Sequence, residues 1–149
     1  MSRRVITPTL LQSEAVESGA VALGIVLRYY GNHTPIEELR YACAVSQDGS
    51  GLGNLIQAAQ FYGLEADWVQ STIPDLRRLP MPQILPWQGD QFLVLEGFGG
   101  RSVYVNDPAD GRRVMSRREF EDGYGGAAVV LKPTEKFQPA RQPFEGKRA

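Results

Sequence analysis

An α+β domain is predicted for this chain on three observations. Long helical periodicity is concentrated in the first 63 residues, short strand-like runs fill the rest, and glycine or proline punctuates most of the boundaries. Helices grouped ahead of a strand series imply a helical N-terminal half packed on an antiparallel sheet half, with a cleft between the two as the natural site.

The elements follow in order. Ser18 to Tyr30 sets Ala22, Leu23, Val26, Leu27 and Tyr30 on one helical face, and Gly31 supplies a stop because it tolerates the left-handed conformation. Thr34, Pro35 and Glu37 form a start signal for a second short helix ending near Cys43: a capping hydroxyl, a proline in the first turn and an acid placed to bond back. Ser50 to Tyr62 is the third helix, with Leu52, Leu55, Ile56, Ala59 and Phe61 or Tyr62 on its apolar side and Gly63 ending it. Six strands are then predicted, over 64–69, 83–87, 91–98, 102–106, 112–115 and 127–131. Gly99-Gly100 and the Asp107 to Gly111 stretch turn two hairpins, and short helices interrupt the series at 73–79 and 116–122. Pro80, Pro82 and Pro86 limit strand pairing, so that edge is expected to stay loop-like and exposed.

Composition narrows the class of function. With 149 residues, 42% hydrophobic and 22% charged, the chain is sized for one domain with a real core. A net charge of -1 offers no clustered positive field for phosphates, so nucleic acid is not expected as a partner. One cysteine, Cys43, and one histidine, His33, leave no disulfide and no ordinary metal site, and no cofactor is expected. Cys43 reads as a small core residue in a reducing setting, and His33 as part of a surface connector. No apolar run approaches the roughly 20 residues that cross a bilayer. Residues 1–131 carry a net charge of -4 and residues 132–149 a net +3. The domain is therefore taken as residues 1–133, and residues 134–149 as a basic, proline-containing linker toward a transmembrane domain lying outside this sequence.

The stretch Gln12 to Gly31, QSEAVESGAVALGIVLRYYG, resembles the opening of the double-glycine cysteine peptidases that process bacteriocins. The likeness continues in family order through Leu39-Arg40, Gly49 to Leu52, Ala58-Ala59, Gly63-Leu64, Pro82, Trp87, Phe92 to Leu95 and Asn106 to Ala109, covering residues 7 to 137. The flavour of TPTLLQSEAVES is similar to the subgroup fused to exporters of peptides with nitrile-hydratase-type leaders. The resemblance implies a papain-like fold at the N-terminus of a peptidase-containing ABC transporter, on the cytoplasmic side of a bacterial plasma membrane. It also implies cleavage of leader peptides after a Gly-Gly pair.

Carried over residue by residue, Gln12 matches the glutamine that stabilises the oxyanion, and Asp107 the residue that orients the catalytic imidazole. Ser18 stands where the resemblance places the nucleophilic cysteine, and Gln91 where it places the histidine. A serine hydroxyl reacts only when a base takes its proton, and a glutamine amide cannot do so. The expectation from these two positions is a degenerate peptidase that is not an enzyme and that holds leader or precursor peptide for the transporter. Deliberate replacement of a nucleophilic cysteine, giving an inactive form of a working leader peptidase, is the alternative reading of Ser18. Apolar grooves receive amphipathic helices through anchors at i, i+3, i+4 and i+7. The candidate wall for such a leader is Trp68, Ile73, Leu76, Trp87, Phe98 and Tyr104, although residues of this kind in short strands more often form plain core.

Overall fold

The computed structural model describes residues 3–44 and 51–139. A 3-10 turn, Ala15–Glu17, runs into α1 (Ser18–Tyr29), followed by α2 (Ile36–Ala42) and α3 (Leu52–Phe61). Then come β1 (Leu64–Gln70), α4 (Ile73–Leu76), β2 (Gln83–Trp87), β3 (Gln91–Phe98), β4 (Ser102–Asp107), β5 (Gly111–Ser116), α5 (Arg117–Gly123) and β6 (Ala127–Pro133). The six strands form one antiparallel sheet in the order β1-β6-β2-β3-β4-β5. The α+β class read from the sequence is what the chain adopts.

Alternation on the central strands explains how the layers assemble. Side chains at successive strand positions point to opposite faces. Ile84 on β2 with Phe92 and Val94 on β3 therefore join the core beneath α1, α2 and α3, which also takes Leu64, Ala66, Val129 and Leu131. Leu85, Trp87, Leu93 and Leu95 point the other way, into a second core closed by Leu76 of α4 and Phe120 of α5. The sheet is thus covered by helix on both faces, where the sequence suggested a helical half against a sheet half. The two covering helices at the back are short, four and seven residues, and carry too few turns to announce a buried stripe.

Helix α1 is the spine of the first core, with every residue from Ser18 to Leu27 buried. Such a helix, apolar almost all round, can only sit inside a domain. Gly63 ends the helical half with φ +93, and a Cβ there would lie 2.6 Å from the Phe137 Cα. Residues 134–139, read from the sequence as the opening of a linker, lie against this point. The Thr134 N–H and hydroxyl donate to the Gly63 carbonyl at 2.9 and 2.7 Å, and the Phe137 ring sits 6.1 Å from that of Tyr30. Residues 140–149, the rest of that stretch, and Gly49 and Ser50 lie outside the described residues.

Two local expectations are corrected. Thr34 does not cap α2; Pro35 holds the cap position, and the buried Thr34 hydroxyl instead donates to Asn32 Oδ1 at 2.5 Å. The proline-bearing β2 is an interior strand rather than an exposed edge. Only Gln83 and Ile84 pair with β6, so Pro86 lies beyond that ladder and its missing N–H leaves no gap.

Candidate functional site

The site is built where α1 begins. The backbone of residues 13–17 folds around the Glu17 carboxylate, which is almost fully buried. One oxygen accepts the backbone N–H groups of Ser13 and of Glu14, the latter at 3.2 Å, and the other accepts Arg40 Nε of α2 at 2.5 Å. Burial pushes the Glu17 carboxyl up, but the Arg40 guanidinium and the two N–H donors outweigh it and hold the group below the usual carboxylate range. This charged knot fixes the residue that follows.

Ser18, 1% exposed, uses its hydroxyl twice on β3: Oγ accepts the Phe92 N–H at 2.7 Å and lies 3.2 Å from the Phe92 carbonyl, to which it donates. The first residue of α1 is thereby stitched to the strand that carries Gln91. Gln91 opens β3 opposite Trp87 and lines a cleft of 210 Å³ with Gly51, Leu52, Pro86, Gly89, Asp90 and Phe92. On the neighbouring strand, Val94 pairs with Asn106, so Asp107 ends β4, and Pro108 follows it, on the cleft side of that pair. The Gln12 N–H donates to the Pro108 carbonyl at 2.8 Å, and Gln12 Oε1 is buried with no hydrogen-bond partner among the described residues. The fold therefore gathers Gln12, Ser18, Gln91 and Asp107 at one end of the sheet.

Their side chains are not all turned toward one another. Asp107 Oδ1 accepts the Ala109 N–H at 2.9 Å, closing its own turn, and Oδ2 lies 4.0 Å from Arg113 Nε. His33 sits in the connection between α1 and α2, away from this end of the sheet.

The six candidate wall residues separate. Leu76 and Trp87 are buried in the second core, where Trp87 stacks on Phe120 at 5.6 Å, and a Cβ on Gly123 would come within 2.4 Å of the indole. Ile73 and Phe98 are half-buried against the same core. Tyr104 lies under the Arg4 guanidinium, 3.7 Å from its ring centroid, and Trp68 is 43% exposed on β1.

The sequence reading missed a second polar centre. Glu96, in the apolar strand FLVLEGF, is 1% exposed and accepts Arg112 through both oxygens at 2.9 and 3.0 Å. Thr7 adds its N–H at 2.9 Å and its hydroxyl at 2.6 Å. Burial raises the Glu96 carboxyl, yet the Arg112 and Thr7 donors bring it below the ordinary range. A lone acid inside such a run was the available signal, because a buried carboxylate demands partners.

Residues 7–136 match the model of the Peptidase C39 family. The chain belongs to that family. It is 29% identical over 135 residues to the probable microcin-H47 secretion/processing ATP-binding protein of Escherichia coli, covering 91% of this chain and 19% of that protein. The colicin V secretion/processing ATP-binding protein of Escherichia coli is likewise 29% identical, with 91% and 19% covered. The chain thus spans about a fifth of the length of these relatives. Among solved structures, a double-glycine motif protease from an AMS/PCAT transporter, in complex with its leader peptide, superposes with TM-score 0.85 at 39% identity, covering 88% of this chain and 94% of that one. The peptidase domain of Streptococcus ComA superposes at TM-score 0.79 with 22% identity, covering 84% and 97%, and shares the fold.

The expectation that this chain is not an enzyme does not stand. Its family is a peptidase family, and a relative at 39% identity is a protease. The expectation rested on two side chains alone, Ser18 and Gln91. Among the described residues no helix is long and apolar enough to cross a bilayer.

Proposed function

We propose that this C39 domain receives the leader of a peptide destined for export, bacteriocin-like in kind, and presents it at the mouth of an ABC transporter. The observation that carries this reading is the complex of the 39% identical protease with a leader peptide, in which the relative has nearly the whole of this fold. On this reading the leader's helical part lies on apolar surface at Ile73 and Phe98, over Leu76 and Trp87 of the second core, while Trp68 and Tyr104 stand on the opposite face of the sheet. Its Gly-Gly end enters the 210 Å³ cleft lined by Gly51, Leu52, Gln91 and Phe92, with Ser18 bonded to the Phe92 backbone behind it. Helix-in-groove recognition supplies affinity through anchors, whereas the narrow cleft admits a segment lacking side chains.

The partners this implies are the transmembrane and nucleotide-binding domains of the same exporter, with the domain on the cytoplasmic face of a bacterial plasma membrane. In support, the curated relatives are named secretion/processing ATP-binding proteins and are several times longer than this chain.

The test is backbone amide mapping by NMR with the leader peptide of the similar protease complex as probe. Saturable shifts are expected at Gly51, Leu52, Gln91 and Phe92, together with Ile73 or Phe98. Shifts confined to the opposite ends of the strands, or none at all, would remove the proposal.

A further inference from the structure

Residues 4–12 cross the strands β3, β4 and β5 as an extended strap and are held there by polar contacts distant in sequence. The Val5 N–H donates to the Glu96 carbonyl at 2.9 Å, and the Glu96 carboxylate takes both donors of Thr7. Asn106 Nδ2 donates to Thr7 Oγ1 at 2.8 Å and to the Pro8 carbonyl at 2.9 Å. The strap then reaches Pro108 through the Gln12 N–H and passes directly into the Ser13-Glu14 turn that wraps Glu17 ahead of Ser18. No regular secondary structure fixes this segment before residue 15, so its path depends on these anchors.

We propose that Glu96 and Arg112 act as positioning residues for the cleft, holding Thr7 so that the strap delivers Gln12 to Asp107-Pro108 and the Ser18 turn to its seat on Phe92. The proposal rests on the leader-binding reading above. Glu96 touches no part of the cleft lining, and its carboxylate is consumed by Arg112 and Thr7. Its side chain reaches the cleft through the strap, whereas its backbone is held in β3 independently of the carboxylate. Thr7 is the link: its hydroxyl donates to Glu96 and accepts from Asn106, and the residue is 2% exposed. Leu11 and Thr9 approach Gly111 across β5, so loosening at Thr7 frees the segment between two contacts rather than at one point.

Thr7→Val keeps the shape of the side chain and leaves the Glu96–Arg112 pair intact, so it separates positioning from loss of the buried ion pair. The probe is the leader peptide of the similar protease complex, used whole and shortened by its terminal Gly-Gly. Wild type, Glu96→Gln, Thr7→Val and Thr7→Ser are compared by stopped-flow dissociation. Glu96→Gln and Thr7→Val are expected to release the whole leader on the order of tenfold faster, leave the shortened leader unchanged, and shift the Gln12 amide resonance; Thr7→Ser behaves as wild type. Equal effects on both peptides, or no effect on either by Thr7→Val, would overturn the proposal. Failure of wild type to bind the whole leader would instead remove the underlying leader-binding reading. Should Glu96→Gln not fold, the Thr7 pair alone decides.

Discussion

Replacing Glu96 by glutamine probes the most demanding polar group in the molecule. The side chain is 1% exposed and satisfies four donors, two from Thr7 and two from Arg112. Removing one partner of a buried pair costs about 3–5 kcal/mol when the other charge is stranded. Arg112 is 32% exposed and regains water, and an amide oxygen still accepts from Thr7, so the cost falls to about 2–3 kcal/mol. At about 2–4 °C per kcal/mol for a domain this size, the midpoint drops by about 5–10 °C. The acid dependence carries the sharper signature. Because the folded-state pKa is lowered, the contribution of the charge is complete above the unfolded value of about 4.3 and disappears as pH falls through the folded one. Glu17 is depressed in the same sense and weakens both proteins alike, so the difference between them isolates Glu96. Urea denaturation of both proteins at pH 7 and pH 3 should show a gap that closes in acid. A gap under about 1 kcal/mol at pH 7, or one unchanged at pH 3, would refute the account of this pair.

Other substitutions address the cores and the cleft. Phe120→Ala, which removes a fully buried ring stacked on Trp87 and Tyr124, is expected to cost about 3–5 kcal/mol by chemical denaturation. Trp68→Ala should cost about 1–2 kcal/mol, less than Phe120→Ala, since the indole is 43% exposed; a stability loss equal to that of Phe120→Ala would place it in the core. Ser18→Cys combined with Gln91→His should react with iodoacetamide at pH 6 about tenfold faster than Ser18→Cys alone, because an imidazolium favours the thiolate. Cys43 is silent in that assay, its buried thiol being pushed up to about 11, and equal rates would show that positions 18 and 91 do not face each other.

What was legible in the sequence was local. The first three helices and the six strands follow from periodicity within a few residues. Cys43 is buried as its chemistry suggested. Gln12, Ser18, Gln91 and Asp107 came from a resemblance along the chain, and the fold collects them at one end of the sheet. What escaped was non-local. The strap owes its path to contacts spanning 89 to 99 residues, between Thr7 and its partners Glu96 and Asn106, and no period records them. Thr34 looked like a cap because its neighbours fit the pattern, but Asn32, two residues away, competes for its hydroxyl. Trp87 on β2 and Leu76 on α4 suggested a surface wall because neither a short strand nor a four-residue helix reveals which side will be covered.

The central claim is that this C39 domain binds a leader peptide. The direct measurement is fluorescence anisotropy of the labelled leader from the similar protease complex, titrated with the intact chain. A saturable curve with a dissociation constant in the range of about 1–100 μM, competed by unlabelled leader, is the predicted result. An anisotropy that rises without saturation up to about 1 mM, or that unlabelled leader fails to reverse, would contradict it.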